Sequence, residues 1–464
     1  MKHKTGGDLL LKKLLKNLSK VVTFDNKDSI FDNYDILIND RVIEKIDKDI
    51  KEDMDMEVID CSGLLAMPGF VNTHHHLYQT LFRGIDEVQE KPLFPWLVGL
   101  YEFWKHIGAE AVYYGGLVGF SELLRTGCTT TMDHHYLFPE NKPATLIDEQ
   151  IRAAKEIGIR FHATRGSMSL GKSNGGLPPD SVVQNEDKIL EDSERLINKY
   201  HDKEDFAMTR IALAPCSPFS VTESLMIKSQ ELARKKGVML HTHLAETKDE
   251  ERFCLEMYGR KPVELMESVG WLGEDVWFAH VIHVNEEEMK KLKGSGVAHC
   301  PSSNMKLNSG ICSTTDLLKA GVKVSIAVDG SASNDGSNMW EEVRRAYLLN
   351  HLKYGTEGLN AYNILRLATR GGAEVLGRHD IGILEVGKAA DIVLYDLDDV
   401  AYAGCHNPLV GLVTCGNTSL VKMTMVNGRI VVKDGELLTM NTKNVRKEAH
   451  KIAEDIVEME RNKR

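Results

Sequence analysis

Between residues 67 and 331 the chain alternates short apolar runs with longer amphipathic segments. Eight such runs stand out, at 67–76, 129–135, 161–165, 211–217, 238–246, 277–283, 297–304 and 324–331. Apolar runs separated by helix-like segments predict parallel strands joined by crossover helices. Eight of them close a (β/α)8 TIM barrel, whose active-site face lies at the C-terminal ends of the strands. Each run here ends in residues capable of chemistry, at the end where that fold places its site.

Both chain ends carry a different pattern. Short β-like runs at 21–24, 35–38 and 42–43 are separated by the turn pairs Asp25-Asn26 and Asn39-Asp40. The same character returns at 391–395, 421–426 and 430–432, where Asn427-Gly428 has the chemistry of a two-residue hairpin turn. These segments predict one small β-sandwich domain built from both ends of the chain. Residues 1–67 and 375–441 would form it, flanking a barrel at 68–374. In the last segment, 442–464, Val445, Ala449, Ile452, Ile456 and Met459 recur at helical spacing and predict an amphipathic helix.

Composition narrows the function classes. Of 464 residues, 42 % are hydrophobic and 27 % charged, which is ordinary globular usage. The net charge of −11, from 57 basic and 68 acidic side chains, argues against a polymeric nucleic-acid partner. The eight cysteines are scattered without CxxC spacing, so reduced thiols and a cytoplasmic setting are expected. The most apolar stretch, near 92–124, is broken by Glu102, Lys105, His106 and Glu110, and no membrane span is expected.

The chemistry begins at Asn72-Thr73-His74-His75-His76. Residues two apart on a strand share a side, so His74 and His76 can converge on one metal while His75 faces away. Neutral imidazole suits zinc or ferrous iron. The fifth run ends His241-Thr242-His243-Leu244-Ala245-Glu246, offering His243 as a third ligand and Glu246 as a proton shuttle. His280 closes the sixth run. Asp329 in Val328-Asp329-Gly330-Ser331 can ligate a metal and accept a proton from water, although a lone Asp there also suits a helix cap. All four features at strand ends together point to a metal hydrolase.

These motifs make the chain recognisable. PGFVNTHHH, HTHLAE, FAHVIH, AHCPSSNMKL and VDGSASND resemble the amidohydrolase superfamily over essentially the whole chain, as does the segment 381–391. That last segment imitates a phosphate-binding GxxxxGK loop, but Ala389 stands where Ser or Thr is required and a strand follows it. The resemblance implies the mononuclear, metal-dependent deaminase branch: His74, His76, His243 and Asp329 as metal ligands, Glu246 as shuttle, and His280 positioning water or polarising substrate. The binuclear branch commonly carries a lysine at the end of strand four, and 214–218 has none, which implies one divalent ion, zinc with iron as the alternative. The unrelated deaminases with a PCxxC motif are excluded, because Pro215-Cys216 has no second cysteine.

For the substrate, Gln79 could read a purine edge, since an amide donates and accepts at once, or could be a surface helix residue. Trp96, with Phe94 and Tyr101, could close over a flat ring or simply pack. Arg165, ending the third run, could donate to a ring carbonyl or be salt-bridged. The surrounding segments are similar to enzymes that deaminate 8-oxoguanine, and also to isoxanthopterin deaminases and triazine hydrolases. The expectation is hydrolytic deamination of an oxidised or amino-substituted purine, 8-oxoguanine to urate and ammonia. Isoxanthopterin, guanine and s-triazines are the alternatives. The resemblance also implies a homo-oligomer acting on a small molecule.

Overall fold

The computed structural model of the chain describes residues 12–415 and 421–463. Its strands, in chain order, begin with β1 (Lys12–Val22), β2 (Ile30–Asn39), β3 (Val42–Asp47), β4 (Met56–Asp60) and β5 (Leu64–Pro68). The barrel strands follow: β6 (Phe70–Asn72), β7 (Cys128–Asp133), β8 (Arg160–Ser167), β9 (Thr209–Pro215), β10 (Met239–Leu244), β11 (Val276–His280), β12 (Gly296–His299) and β13 (Lys323–Ile326). The chain ends with β14 (Ile392–Asp396), β15 (Met423–Val426), β16 (Arg429–Lys433) and β17 (Glu436–Leu437).

Alternation along the outer strands explains how two bodies share one chain. In β5, Leu64 and Ala66 join one core while Leu65 and Met67 join the larger core of the barrel. In β14, Ile392 and Leu394 face the first, and Val393 and Tyr395 the second. A period of two thus presents one strand to both cores. The strands of both chain ends form a single nine-stranded sheet, ordered β17-β16-β15-β14-β5-β1-β2-β3 with β4 also on β1. It is the small β-sandwich domain expected from both chain ends, its strands linked in one hydrogen-bonded path. Residues from β3 through β15 meet in one cluster, so the sheet curls around its own core. Asn427 and Gly428, at φ 51° and 78°, make the expected two-residue turn between β15 and β16.

The central strands form an eight-stranded parallel sheet ordered β13 to β6. Its two edges meet without a ladder, and the seam is closed by other bonds. The Thr73 and Ser325 hydroxyls lie 2.6 Å apart, Val328 N–H donates to Asn72 Oδ1 (3.0 Å) and Asp329 N–H to His74 O (3.1 Å). Closure therefore draws Asp329 alongside His74.

Two expected elements differ in detail. The run at 297–304 is strand only to His299, because Pro301 opens the short helix Pro301–Lys306. The terminal helix, Thr442–Arg461, buries Val445, Ala449 and Ile456, but Met459 is half exposed. Glu460 is buried in its place, 3.1 Å from His106 and 3.2 Å from Lys105. Among the described residues no helix is long and apolar enough to cross a membrane.

The barrel and the small sheet are joined by a buried ion pair. Arg160 on β8 reaches both oxygens of Asp391 (3.1 and 3.2 Å), and Asp391 also accepts Asn427 N–H at 2.6 Å. Removing one partner strands the other charge in the interior. Asp391→Ala is expected to cost about 3–5 kcal/mol in urea unfolding, whereas Glu149→Ala, breaking the exposed pair with Arg152, costs under about 1. Equal losses would deny the junction its structural role.

Candidate metal centre

The barrel mouth collects imidazoles whose protons are assigned by what they touch. A carbonyl oxygen only accepts, so a ring nitrogen bonded to one must carry the hydrogen. His76 Nδ1 donates to His134 O (2.8 Å) and His243 Nδ1 to Cys216 O (2.7 Å). His241 Nδ1 donates to Trp277 O (3.0 Å), leaving its Nε2 to accept from His74 Nδ1 at 2.8 Å. Burial holds all four rings below their ordinary pKa, and they are neutral. His74, His76 and His243 are thereby each left with a bare Nε2.

Those bare nitrogens converge. His76 Nε2 and His243 Nε2 lie 3.1 Å apart, and Asp329 Oδ1 is 3.3 Å from both His74 Nε2 and His76 Nε2. His74 Nε2 is buried without a hydrogen-bond partner among the described residues. Lone pairs facing each other at hydrogen-bond distance, with no proton between them, repel. A cation among them turns that repulsion into coordination, and N and O donors of this kind suit zinc or iron. The donor set therefore fits a divalent ion. Ring nitrogens of His74, His76, His134 and His243 fall within 4.8 Å of one another, as do donor atoms of His74, His280 and Asp329.

The acid–base groups sit at the edge of this cluster. Burial raises the Glu246 carboxyl above its usual value, outweighing the charge of His280, which acts the other way. Burial would raise Asp329 too, but its close contacts with His74, His280 and His76 hold it well below the ordinary range. The two carboxyls are thus shifted in opposite directions, the separation in proton affinity that proton-transfer chemistry uses. His280 Nε2 faces Glu246 Oε2 at 3.6 Å and Asp329 Oδ2 at 3.9 Å. Its Nδ1 donates to Asn304 Oδ1 at 2.9 Å. Burial alone would depress His280, yet Glu246 and then Asp329 leave it raised. Ala245, His280, Val281 and Asp329 all have positive φ, between 49° and 74°. Strained backbone in non-glycine residues concentrates at functional sites.

A chamber of about 30 Å³ opens beside these groups, lined by His76, Gln79, Trp96, Tyr136, Phe219 and Glu246 among others. Of the residues expected to read a substrate, Gln79 and Trp96 therefore reach the chamber. The Trp96 indole N–H has no partner among the described residues. Arg165 does not reach it. Its guanidinium bonds Asp192 (2.5 Å), Gln184 (2.8 Å) and Gly166 O, and lies over the Phe138 ring. Strand parity gives the reason: Phe161 and Ala163, on the same side of β8, belong to the core between barrel and helices, and Arg165 follows them outward. Phe94 packs on Phe219, and Tyr101 is buried with its hydroxyl on Met168 Sδ.

Two residues of the centre escaped sequence reading. His241 stands two before His243 on the same strand, so the spacing that paired His74 with His76 also pointed to it. His134, at the end of β7, sits stacked on His243 with ring centroids 4.7 Å apart; only its position at a strand end signalled it.

Comparison with known proteins bears on this arrangement. The Amidohydrolase family model matches residues 65–431. The chain is 50 % identical over 378 residues to 8-oxoguanine deaminase of Pseudomonas aeruginosa, covering 81 % of this chain and 84 % of that protein. It is 35 % identical to hydroxydechloroatrazine ethylaminohydrolase of Pseudomonas sp. (strain ADP), covering 91 % of each. The crystal structure of atrazine chlorohydrolase from Arthrobacter aurescens TC1 complexed with zinc superposes with a TM-score of 0.92 at 33 % identity, over 95 % of this chain and 100 % of that one.

Metal retention gives a direct check. After dialysis, elemental analysis is expected to find the ion kept by Glu246→Gln and largely lost by His243→Ala. Equal retention in both variants would remove His243 from the ligand set.

Proposed function

This chain belongs to the amidohydrolase family, and on that footing we propose that it is a metal-dependent deaminase of a purine-like heterocycle, converting 8-oxoguanine to urate and ammonia. The observation that carries the reading is the meeting of bare imidazole nitrogens and Asp329 beside a carboxyl whose protonated form burial favours. His74, His76, His243 and Asp329 would hold one divalent ion, zinc by preference. When bound, such an ion supplies a nucleophile at neutral pH by lowering the pKa of water from about 16 to about 7.

The protein's own groups then move the protons. Asp329, ionised, takes one proton from the attacking water. Glu246 gives its proton to the ring nitrogen beside the carbon that carries the amino group. Asp329 passes its proton to the departing nitrogen, which leaves as ammonia. Glu246 recovers a proton from the new hydroxyl as that becomes a carbonyl. Both carboxyls finish in the state in which they began, and water is the sole co-reactant. His280 would hold the water or the developing oxyanion between the two.

The chamber suits a flat, polar-edged ring. Trp96, Tyr136 and Phe219 offer faces and edges, and Gln79 an amide that donates and accepts. The helix Leu93–Trp104 contributes Leu93, Trp96 and Leu97 to the chamber wall. Leu93 and Leu307 also line a neighbouring open cavity of about 400 Å³, an approach to the chamber. We assign Gln79 and Trp96 to the ring and withdraw Arg165, whose donors are engaged elsewhere.

Ammonia release should be fastest with 8-oxoguanine in a panel containing guanine, isoxanthopterin and an amino-s-triazine. Turnover of the triazine alone would transfer the reading to that class. Glu246→Gln should lower kcat by about 10²–10⁴-fold. The pH profile follows from the raised Glu246: its acid form is the competent one, so activity persists below its pKa and falls as pH rises through it. Loss of that alkaline limb in Glu246→Gln is the expected signature, and a limb unchanged by the substitution would assign it to another group.

A further inference from the structure

The turn that delivers Glu246 is fastened by a second carboxylate four residues on. Thr247 caps the helix Lys248–Tyr258, its hydroxyl accepting Glu250 N–H at 3.3 Å. Thr247-Lys248-Asp249-Glu250 has the spacing of a capping box, in which the side chain of the fourth residue returns to the backbone N–H of the first. Here it goes further back. Glu250 Oε1 accepts Ala245 N–H at 2.7 Å and Oε2 accepts Glu246 N–H at 2.9 Å, with the side chain wholly buried.

The same segment is held on its carbonyl side by the turn that carries His280. Leu244 O accepts Val281 N–H (3.0 Å), and Ala245 O accepts both Ile282 N–H (3.0 Å) and His283 N–H (2.9 Å). Ala245 sits at φ 51°, a conformation that alanine does not choose unaided. With donors and acceptors both engaged, the peptide planes before Glu246 cannot turn. The direction in which its side chain leaves the backbone is set, and its carboxyl lies 3.6 Å from His280 Nε2 and 3.4 Å from the Ser309 hydroxyl.

We propose that Glu250 is a positioning residue for proton transfer: by clamping two successive N–H groups it aims the Glu246 carboxyl at the reacting ring nitrogen. The proposal rests on the reading of Glu246 as the proton donor. Proton transfer is sensitive to sub-ångström placement, and a misplacement of about 1 Å can cost 10²-fold in rate.

The test is a double-variant cycle on the metal-loaded enzyme. Glu250→Gln puts an NH₂ against one of the two N–H groups, and it should lower kcat by about 10–100-fold. KM should stay within about threefold and metal content should not change. The solvent isotope effect on kcat should increase as proton transfer becomes limiting. In a Glu246→Gln background the same change should add less than about threefold, because the group it aims is already gone. Losses that multiply in the double variant, or that appear in KM or metal content instead, overturn the proposal. If Glu250→Gln does not fold, Glu250→Asp, too short to reach both N–H groups, enters the same cycle with the same criteria. Full activity in Glu246→Gln alone would fell the proton-donor reading itself, an outcome distinct from failure of the clamp.

Discussion

Imidazole lone pairs held face to face are the constraint on which this architecture turns. His76 Nε2 and His243 Nε2 stand 3.1 Å apart with their protons committed to the opposite ring nitrogens. No arrangement of neutral side chains makes that favourable by itself. The backbone enforces it: carbonyls of His134, Cys216 and Trp277, beyond β7, beyond β9 and within β11, each fix one ring's tautomer directly or through His241. Metal-ligating histidines are commonly oriented this way by what their second nitrogen touches. The barrel seam then brings Asp329 beside His74, adding the negative charge that a cation requires.

How far the sequence foretold this depends on the element. Period-two spacing placed His74 and His76 on one side of a strand and His75 on the other; His75 is indeed turned away, onto the Ser337 hydroxyl at 3.0 Å. The eight runs of the barrel and the paired strand clusters at the chain ends were also legible, because burial imposes their periodicity. That the strands of the small domain run in one continuous sheet was not, since spacing along a strand says nothing about which strands pair. Arg165 was misdirected by its place at a strand end; Phe161 and Ala163, apolar on the same side, held the contrary information. At the helix end, Met459 fitted the apolar stripe by position, yet Glu460 is the buried residue because Lys105 and His106 are there to receive it.

Dryness links the site's electrostatics to its access. With the metal-site imidazoles and both carboxyls buried, charges interact through a medium far less screening than water, which is what separates Glu246 from Asp329 in proton affinity. The same packing puts Leu93, Trp96 and Leu97 of the helix Leu93–Trp104 on the wall of the chamber beside Glu246. The relatives include an 8-oxoguanine deaminase and a hydroxydechloroatrazine ethylaminohydrolase, and one fold hosts different activities through the site built on it.

Nitrogen-15 NMR of the histidine side chains, recorded on chelator-stripped and zinc-loaded protein, reaches the central claim most directly. The account predicts that His74, His76 and His243 all carry their proton on Nδ1 in both states, and that zinc shifts their three Nε2 resonances together. A proton on Nε2 of any of the three in the loaded protein, or three resonances indifferent to zinc, would contradict it.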